Sequence, residues 1–344
     1  IPKPWGQEIW YTGIEARGVS QVISDSGVTP LSWVIALDRQ RVLGAHQQPN
    51  LLKILDPLPD EVFGDLYFEL HEKKREGYIV THIDSRAWPN GVGAIRYGFS
   101  SGKREQFADE EGFLAAYRGA VRDYQSIRTE LDNLMDDLRE RDGIHLLAPV
   151  AATQTQRWLD ELPQNLRSHE ATLRMRMESF TELRELRVGD VLAVPLRTPH
   201  ALQHGVRTVE FQTPVYERKI LSFAQKVLTQ NHWDTDEALD LAQLQTPDDV
   251  AFPVLLDTDG VKIEQIVQFE DFTVQRIYLA PGAALQCETP NAYCLLMTVS
   301  GEVSCATCLL QAEQAVLVPV SVGAISLQNF SSQPAVVLLA KPAL

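Results

Sequence analysis

The sequence predicts a mainly β protein carrying a helical insertion, and three features support that prediction. Strand-sized apolar runs punctuated by Gly and Pro fill the chain as far as Phe99. The stretch 104–141 then turns rich in Glu, Arg, Leu and Ala, with apolar residues at helical spacing. Beta character resumes at Thr181 and closes in an all-β segment over 252–344, whose many short strands suit a sandwich or small barrel.

Taken in order, Pro2-Lys3-Pro4-Trp5-Gly6 reads as an irregular lead-in to a first strand. The apolar runs 32–37 and 51–55 read as strands, the second stopped by Asp56-Pro57. Within 64–76, GDLYFELHEKKRE, Glu69 and His71 stand two apart, so a strand projects both from one face. The polar run Glu72-Lys73-Lys74-Arg75 turns the chain and 77–81 reads as a returning strand, which predicts a hairpin with Glu76 at the start of its second arm. Pro89-Asn90-Gly91 marks a turn before a short strand over 93–99.

In the insertion, Phe113, Ala116, Tyr117 and Ala120 form one apolar stripe and Ile127, Leu131, Leu134 and Leu138 another. Gly143 suits a helix stop, and a second helix is expected over 153–162, with Pro163 near its end. These residues are neither Gly/Ser-rich nor of low complexity, so they form a packed insertion and not a linker. Further strands are expected over 182–188, 191–195, 196–202 and 209–212, then a short helix over 232–239. In the closing segment the strands 272–279, 293–299, 315–318 and 335–340 are separated by Pro281-Gly282, Ser300-Gly301 and Val322-Gly323. It contains no His, which makes it a poor metal site and a structural or interface unit. At 344 residues the chain is long for one core. We divide it into 1–103 with 172–250, the helical insertion 104–171, and 251–344.

Composition narrows the function. A formal net charge of −15 argues against a nucleic-acid partner, since phosphates demand a basic surface. An anionic small substrate would need a local basic pocket set against that global field. No apolar run approaches the roughly 20 residues that span a bilayer, so no membrane role is expected. All four cysteines fall late, at Cys287, Cys294, Cys305 and Cys308. Cys305-x-x-Cys308 has the spacing of half a zinc ribbon or a redox pair. No second such pair and no later His accompanies it, so buried free thiols in a cytoplasmic protein are expected.

The chemistry concentrates in 64–76. Two carboxylates, Glu69 and Glu76, and the His71 imidazole suit a divalent metal such as Zn²⁺, Mn²⁺ or Fe²⁺, one ligand short. Read alone, the same stretch also fits a polar hairpin of solvated charges. A further candidate ligand stands at His200, where Gly189, Pro195, Arg197 and His200 are spaced like the second motif of the cupins. The stretch 64–76 is similar to their first motif, with Glu69 where a His or Gln is usual. Arg197 occupies a position where the family usually has Gly.

The wider chain resembles the type I phosphomannose isomerases of the cupin superfamily, through Pro4-Trp5-Gly6, 51–56, the 64–76 stretch, 93–99, the insertion, 194–200 and Glu210-Phe211-Gln212. The resemblance implies two cupin (jelly-roll) barrels, the N-terminal one metal-binding and the C-terminal one degenerate. It implies isomerisation of mannose 6-phosphate and fructose 6-phosphate through a cis-enediol, with Zn²⁺ as the expected metal. Carried over position by position, it assigns Glu69, His71, Glu76 and His200 to the metal and Lys74 and Arg218 to catalysis. His82 and His204 lie near the two motifs, with solvent-facing or structural roles expected. Three departures stand out: Glu69 replaces Gln, Glu72 replaces a Pro, and the link from His71 to Glu76 is short. The expected partner is a small-molecule sugar phosphate, the expected state a monomer or homodimer. Rival readings are a cupin oxygenase using Fe²⁺ or Mn²⁺, and a sugar-binding protein without activity.

Overall fold

Strands buried on alternate residues must pair their apolar faces, and here they do so in two successive β-sandwiches. The computed structural model describes residues 1–16, 18–145, 150–248, 251–288 and 291–343. In the first sandwich a six-stranded sheet runs, in spatial order, Pro2–Lys3, Gly6–Trp10, Leu51–Pro57, Val206–Gln212, Glu76–Ile83 and Val191–Val194. The facing five-stranded sheet runs Thr181–Leu186, Gly93–Phe99, His200–Leu202, Phe68–Leu70 and Lys219–Ser222. Leu55, Val80 and Leu192 from one sheet meet Ile95, Leu202 and Ile220 from the other. The second sandwich packs Val254–Thr258, Val261–Gln268, Phe272–Leu279, Ala335–Pro342, Cys294–Ser300 and Ala315–Val318 against a four-stranded sheet. Both are mainly β jelly-roll sandwiches of open sheets, not rings of strands closed by hydrogen bonds.

The six-stranded sheets stack back to back. Leu52, Ile54, Ile79, Val209 and Phe211, on the outer face of the first, pack with Val267, Phe272, Val274, Leu295 and Leu338 of the second. Helices cover the opposite side. The helix Glu110–Arg141 starts where Asp109 Oδ1 accepts from the Gly112 N–H at 2.7 Å. It buries Phe113, Tyr117, Ala120 and Tyr124 against Phe68, Leu70 and Phe99 of the five-stranded sheet. Gly143, at φ +69°, follows its end in the left-handed conformation that glycine adopts freely. Two more helices, Ala152–Glu161 and Gln164–Glu178, return along it, so helical structure runs past residue 171.

Three local expectations are corrected. The run 32–37 is a helix, Leu31–Leu37, not a strand. Only Leu31 and Ile35, one helical turn apart, are buried, while Trp33 and Leu37 face solvent. The predicted hairpin over 64–81 does not form: Phe68–Leu70 and Glu76–Ile83 lie in opposite sheets. The polar run 72–75 is therefore a corner that carries the chain from one wall of the sandwich to the other. Lys219–Ser222, a stretch for which no strand is expected between 209–212 and the helix over 232–239, pairs directly with Phe68–Leu70. Of the thiols, Cys287, Cys294 and Cys305 are buried and Cys308 is exposed.

Candidate metal centre

The corner at 72–75 explains how the side chains meet. His200 pairs directly across strands with Glu69, and His71 follows the Phe68–Leu70 strand by one residue, so these three enter from the five-stranded wall. Glu76 opens the Glu76–Ile83 strand on the facing wall. Arg197 ties the two motif loops together: its N–H donates to the His71 carbonyl at 2.7 Å. It does so at φ +64°, a left-handed conformation that a glycine adopts without cost and that strains an arginine.

Donor atoms of Glu69, His71 and His200 all lie within 4.8 Å of one another. Glu76 is not part of that three-way set but meets both imidazoles from its own wall. Its Oε1 is 3.4 Å from His71 Nε2 and its Oε2 is 3.0 Å from His200 Nε2. His71, His200 and Glu76 are buried and Glu69 is half-buried. His200 Nδ1 lies 3.0 Å from the Thr198 carbonyl, a contact that leaves Nε2 for the centre.

Burial, with the Lys74 ammonium beside it, pushes the His71 pKa down, toward the neutral form that ligates metals. Burial alone would raise Glu76, but Lys74 and His71 outweigh it and hold the carboxyl well below the usual range. For His200 burial works downward, and the hydrogen bond and charge of Glu76 reverse it. Among the described residues, neither ring nitrogen of His71 has a hydrogen-bond partner, nor does Glu69 Oε2, although all three atoms are buried. Orphaned donor and acceptor atoms at the meeting point of two carboxylates and two imidazoles fit a divalent cation.

Lys74 is buried, its Nζ 2.7 Å from Glu76 Oε1, and is no solvated turn lysine. Arg218 stacks on Tyr67 with its guanidinium carbon 4.4 Å from the ring centroid. It donates to Thr229 Oγ1 at 2.6 Å and lies 3.9 Å from Glu69 Oε2. The two histidines near the motifs lie apart from the centre: His82 is exposed, and His204 pairs with Asp65 at 2.8 Å and stacks on Trp88.

Several polar residues beside the centre escaped sequence reasoning. Lys53, Glu210 and Tyr78 are directly opposed across three neighbouring strands, forming one row next to Glu76. Lys53 Nζ is 3.1 Å from Glu210 Oε2 and 3.8 Å from Glu8 Oε1. The partners in this buried row pull apart. Burial and the Glu76 charge push Glu210 well up, whereas Lys53 is held charged against its own burial by Glu210 and Glu8. We take Lys53 as the ammonium with Glu8 as its ionised counterion, because one carboxylate suffices to balance one lysine. The available signal was a charge inside an apolar strand: Lys53 in Leu51-Leu52-Lys53-Ile54-Leu55, and Glu210 between Val209 and Phe211. A cavity of about 390 Å³ lies elsewhere, between the helices at Arg128 and Trp158 and the segments at Pro4 and Gln225.

A jelly-roll sandwich holding His and Glu donors between its sheets, followed by a second sandwich without His, gives a two-sandwich chain with a candidate metal site. The sequence matches no protein-family model and no curated protein. Solved structures do match. The mannose 6-phosphate isomerase from Bacillus subtilis is 14% identical with a TM-score of 0.63, over 97% of this chain and 88% of that one. A zinc-bound mannose 6-phosphate isomerase is 12% identical with a TM-score of 0.62, over 98% and 91%. A variant of the phosphomannose isomerase from Salmonella typhimurium is 12% identical with a TM-score of 0.62, over 100% and 93%. The chain therefore has the fold of the phosphomannose isomerases, cupin sandwiches included. Among the described residues no helix is long and apolar enough to cross a membrane.

Proposed function

We propose that the protein is a metal-dependent aldose–ketose isomerase of the mannose 6-phosphate/fructose 6-phosphate type. The observation that carries this reading is the convergence of Glu69, His71 and His200 donor atoms within 4.8 Å, with Glu76 against both imidazoles. The shared fold supports it. Glu69, His71, Glu76 and His200 would hold the ion, most simply Zn²⁺, with Mn²⁺ or Fe²⁺ as alternatives. A bound divalent cation supplies Lewis-acid stabilisation of oxyanion charge as it develops on the sugar.

The chain's own groups do the rest. Isomerisation moves one proton from C2 to C1 and one from O2 to O1, through a cis-enediol, with no co-reactant. Lys74, fixed by Glu76, stands where it can exchange a proton with the substrate or bind a sugar oxygen. Arg218, permanently charged and preorganised by Tyr67 and Thr229, binds enediolate or phosphate oxygen. Closing a site between two sheets excludes water from the enediol. The free thiols suit the cytoplasm as the protein's compartment, and we propose a monomer or homodimer.

Metal analysis of the purified protein, followed by a coupled mannose 6-phosphate isomerase assay, tests the reading. His200→Ala should abolish metal binding, whereas Arg218→Ala should retain the metal and lose activity. Full metal occupancy without turnover would remove the isomerase. Glu69 gives the centre a second carboxylate, which favours a cupin oxygenase using Fe²⁺ or Mn²⁺ as the second reading. Stabilisation by neutral sugars alone, in a thermal-shift screen, would instead point to a sugar-binding protein.

A further inference from the structure

We propose that Tyr78 is a positioning residue of the metal centre, holding the Glu76 carboxylate in the one rotation that faces both histidines. The inference rests on reading the centre as a divalent-cation site. Tyr78 stands two residues beyond Glu76 on one strand, so both side chains enter the sandwich from the same wall. Its hydroxyl donates to Glu76 Oε2 at 2.6 Å, the oxygen that lies 3.0 Å from His200 Nε2. Lys74 takes the other oxygen, Oε1, at 2.7 Å.

The terminal torsion of a glutamate is broad and two-fold, so a carboxylate held at one point can swing. A donor on each oxygen removes that freedom. The two donors differ in stiffness. Lys74 reaches Glu76 on a flexible stem from the corner run, whereas the Tyr78 ring is 3% exposed and packed among Leu55, Val80 and Leu192. The ring also lies 6.0 Å from the His200 ring, at an interplanar angle of 60°. One rigid side chain therefore fixes a carboxylate from one wall and touches an imidazole from the other. A phenol adds no charge, so it orients Glu76 without weakening the attraction of the centre for a cation.

Cobalt titration of the metal-stripped full chain tests this, with visible absorption reporting both the dissociation constant and the ligand field. Tyr78→Phe keeps the ring and deletes only the hydroxyl. We expect Co²⁺ binding roughly 10–100-fold weaker, the usual cost of losing a group that orients a ligand, with an altered ligand-field band. Tyr97→Phe removes another hydroxyl of the first sandwich, which donates to the Ala193 carbonyl at 2.7 Å, and should leave both readouts unchanged. An unaltered constant and band in Tyr78→Phe would overturn the proposal. So would equal losses in the two variants, or a Tyr78→Phe chain that no longer melts cooperatively, since each makes the hydroxyl a mere core strut. A wild-type chain that takes up no Co²⁺ would instead overturn the metal reading beneath it.

Discussion

Where the first sandwich buries Glu8, Lys53, Glu76 and Glu210 between its sheets, the second fills the corresponding space with Ile277, Leu279, Leu296, Val303 and Leu339. The architecture is the same, and so is the way each polypeptide wall alternates in and out. A hydrocarbon interior is the cheaper solution, because each buried charge costs several kcal/mol of desolvation before a partner offsets it. The first interior keeps its charges paired in a row that ends at the His71 and His200 imidazoles. The contrast teaches that polar burial here is gathered around one set of His and Glu donors, while the second interior is apolar where the two sheets face each other.

The sharpest way to break this comparison is to unpair the row. Lys53→Met leaves Glu8 with Lys3 alone and Glu210 with no ammonium beside it, and should destabilise the chain by about 3–5 kcal/mol in urea unfolding. Pairing it with Glu210→Leu should recover part of that loss. No loss in the single variant would mean that the row is not an ionic network. Next in size, Leu296→Ala opens a cavity in the second interior and should cost about 2–5 kcal/mol. Because the cavity is remote from the metal centre, Co²⁺ affinity should not change. A fall in affinity would couple the two sandwiches.

Acid provides a third probe. Burial would raise Glu8, but the Lys53 and Lys3 ammoniums and the Trp10 indole N–H hold its pKa at about 2, below the usual 4.5. A depressed folded pKa contributes stability above 4.5 that fades as the pH falls toward 2. By pH 3 this group alone should have lost about 2 kcal/mol, and Glu8→Gln should flatten that part of the stability–pH curve. The same curve in wild type and variant would remove Glu8 from the network. The smallest effect is expected at the rim of the second unit, where Cys308 is exposed. Cys308→Ser should change stability by less than about 0.5 kcal/mol, and a larger change would give that thiol a structural role.

Much of this was legible in residue order. The strands expected over 93–99, 191–195, 272–279 and 335–340 form, within a residue or two of those bounds, and the stripe through Phe113, Tyr117 and Ala120 is a helix face. The stretch 64–76 points to Glu69, His71 and Glu76, the likeness to the second cupin motif adds His200, and the donor atoms of these four lie close together. The helix at Leu31–Leu37 was misread because apolar composition alone does not separate a short strand from a short helix. Only burial of Leu31 and Ile35, with Trp33 left outside, decides it.

The chain by itself determined which groups alternate to one face of each strand, because the pleat fixes a period of two whatever the strand packs against. It also determined that the last unit contains no His. Tertiary structure alone decided that 64–81 is a corner and not a hairpin. Strand pairing depends on which partner offers a free edge, and here Phe68–Leu70 pairs with His200–Leu202 and Lys219–Ser222. That choice puts Glu76 on the wall opposite Glu69. The centre is therefore closed from two sides, and Tyr78, Lys53 and Glu210 line up beside it, because residues distant in sequence become neighbours only when sheets form.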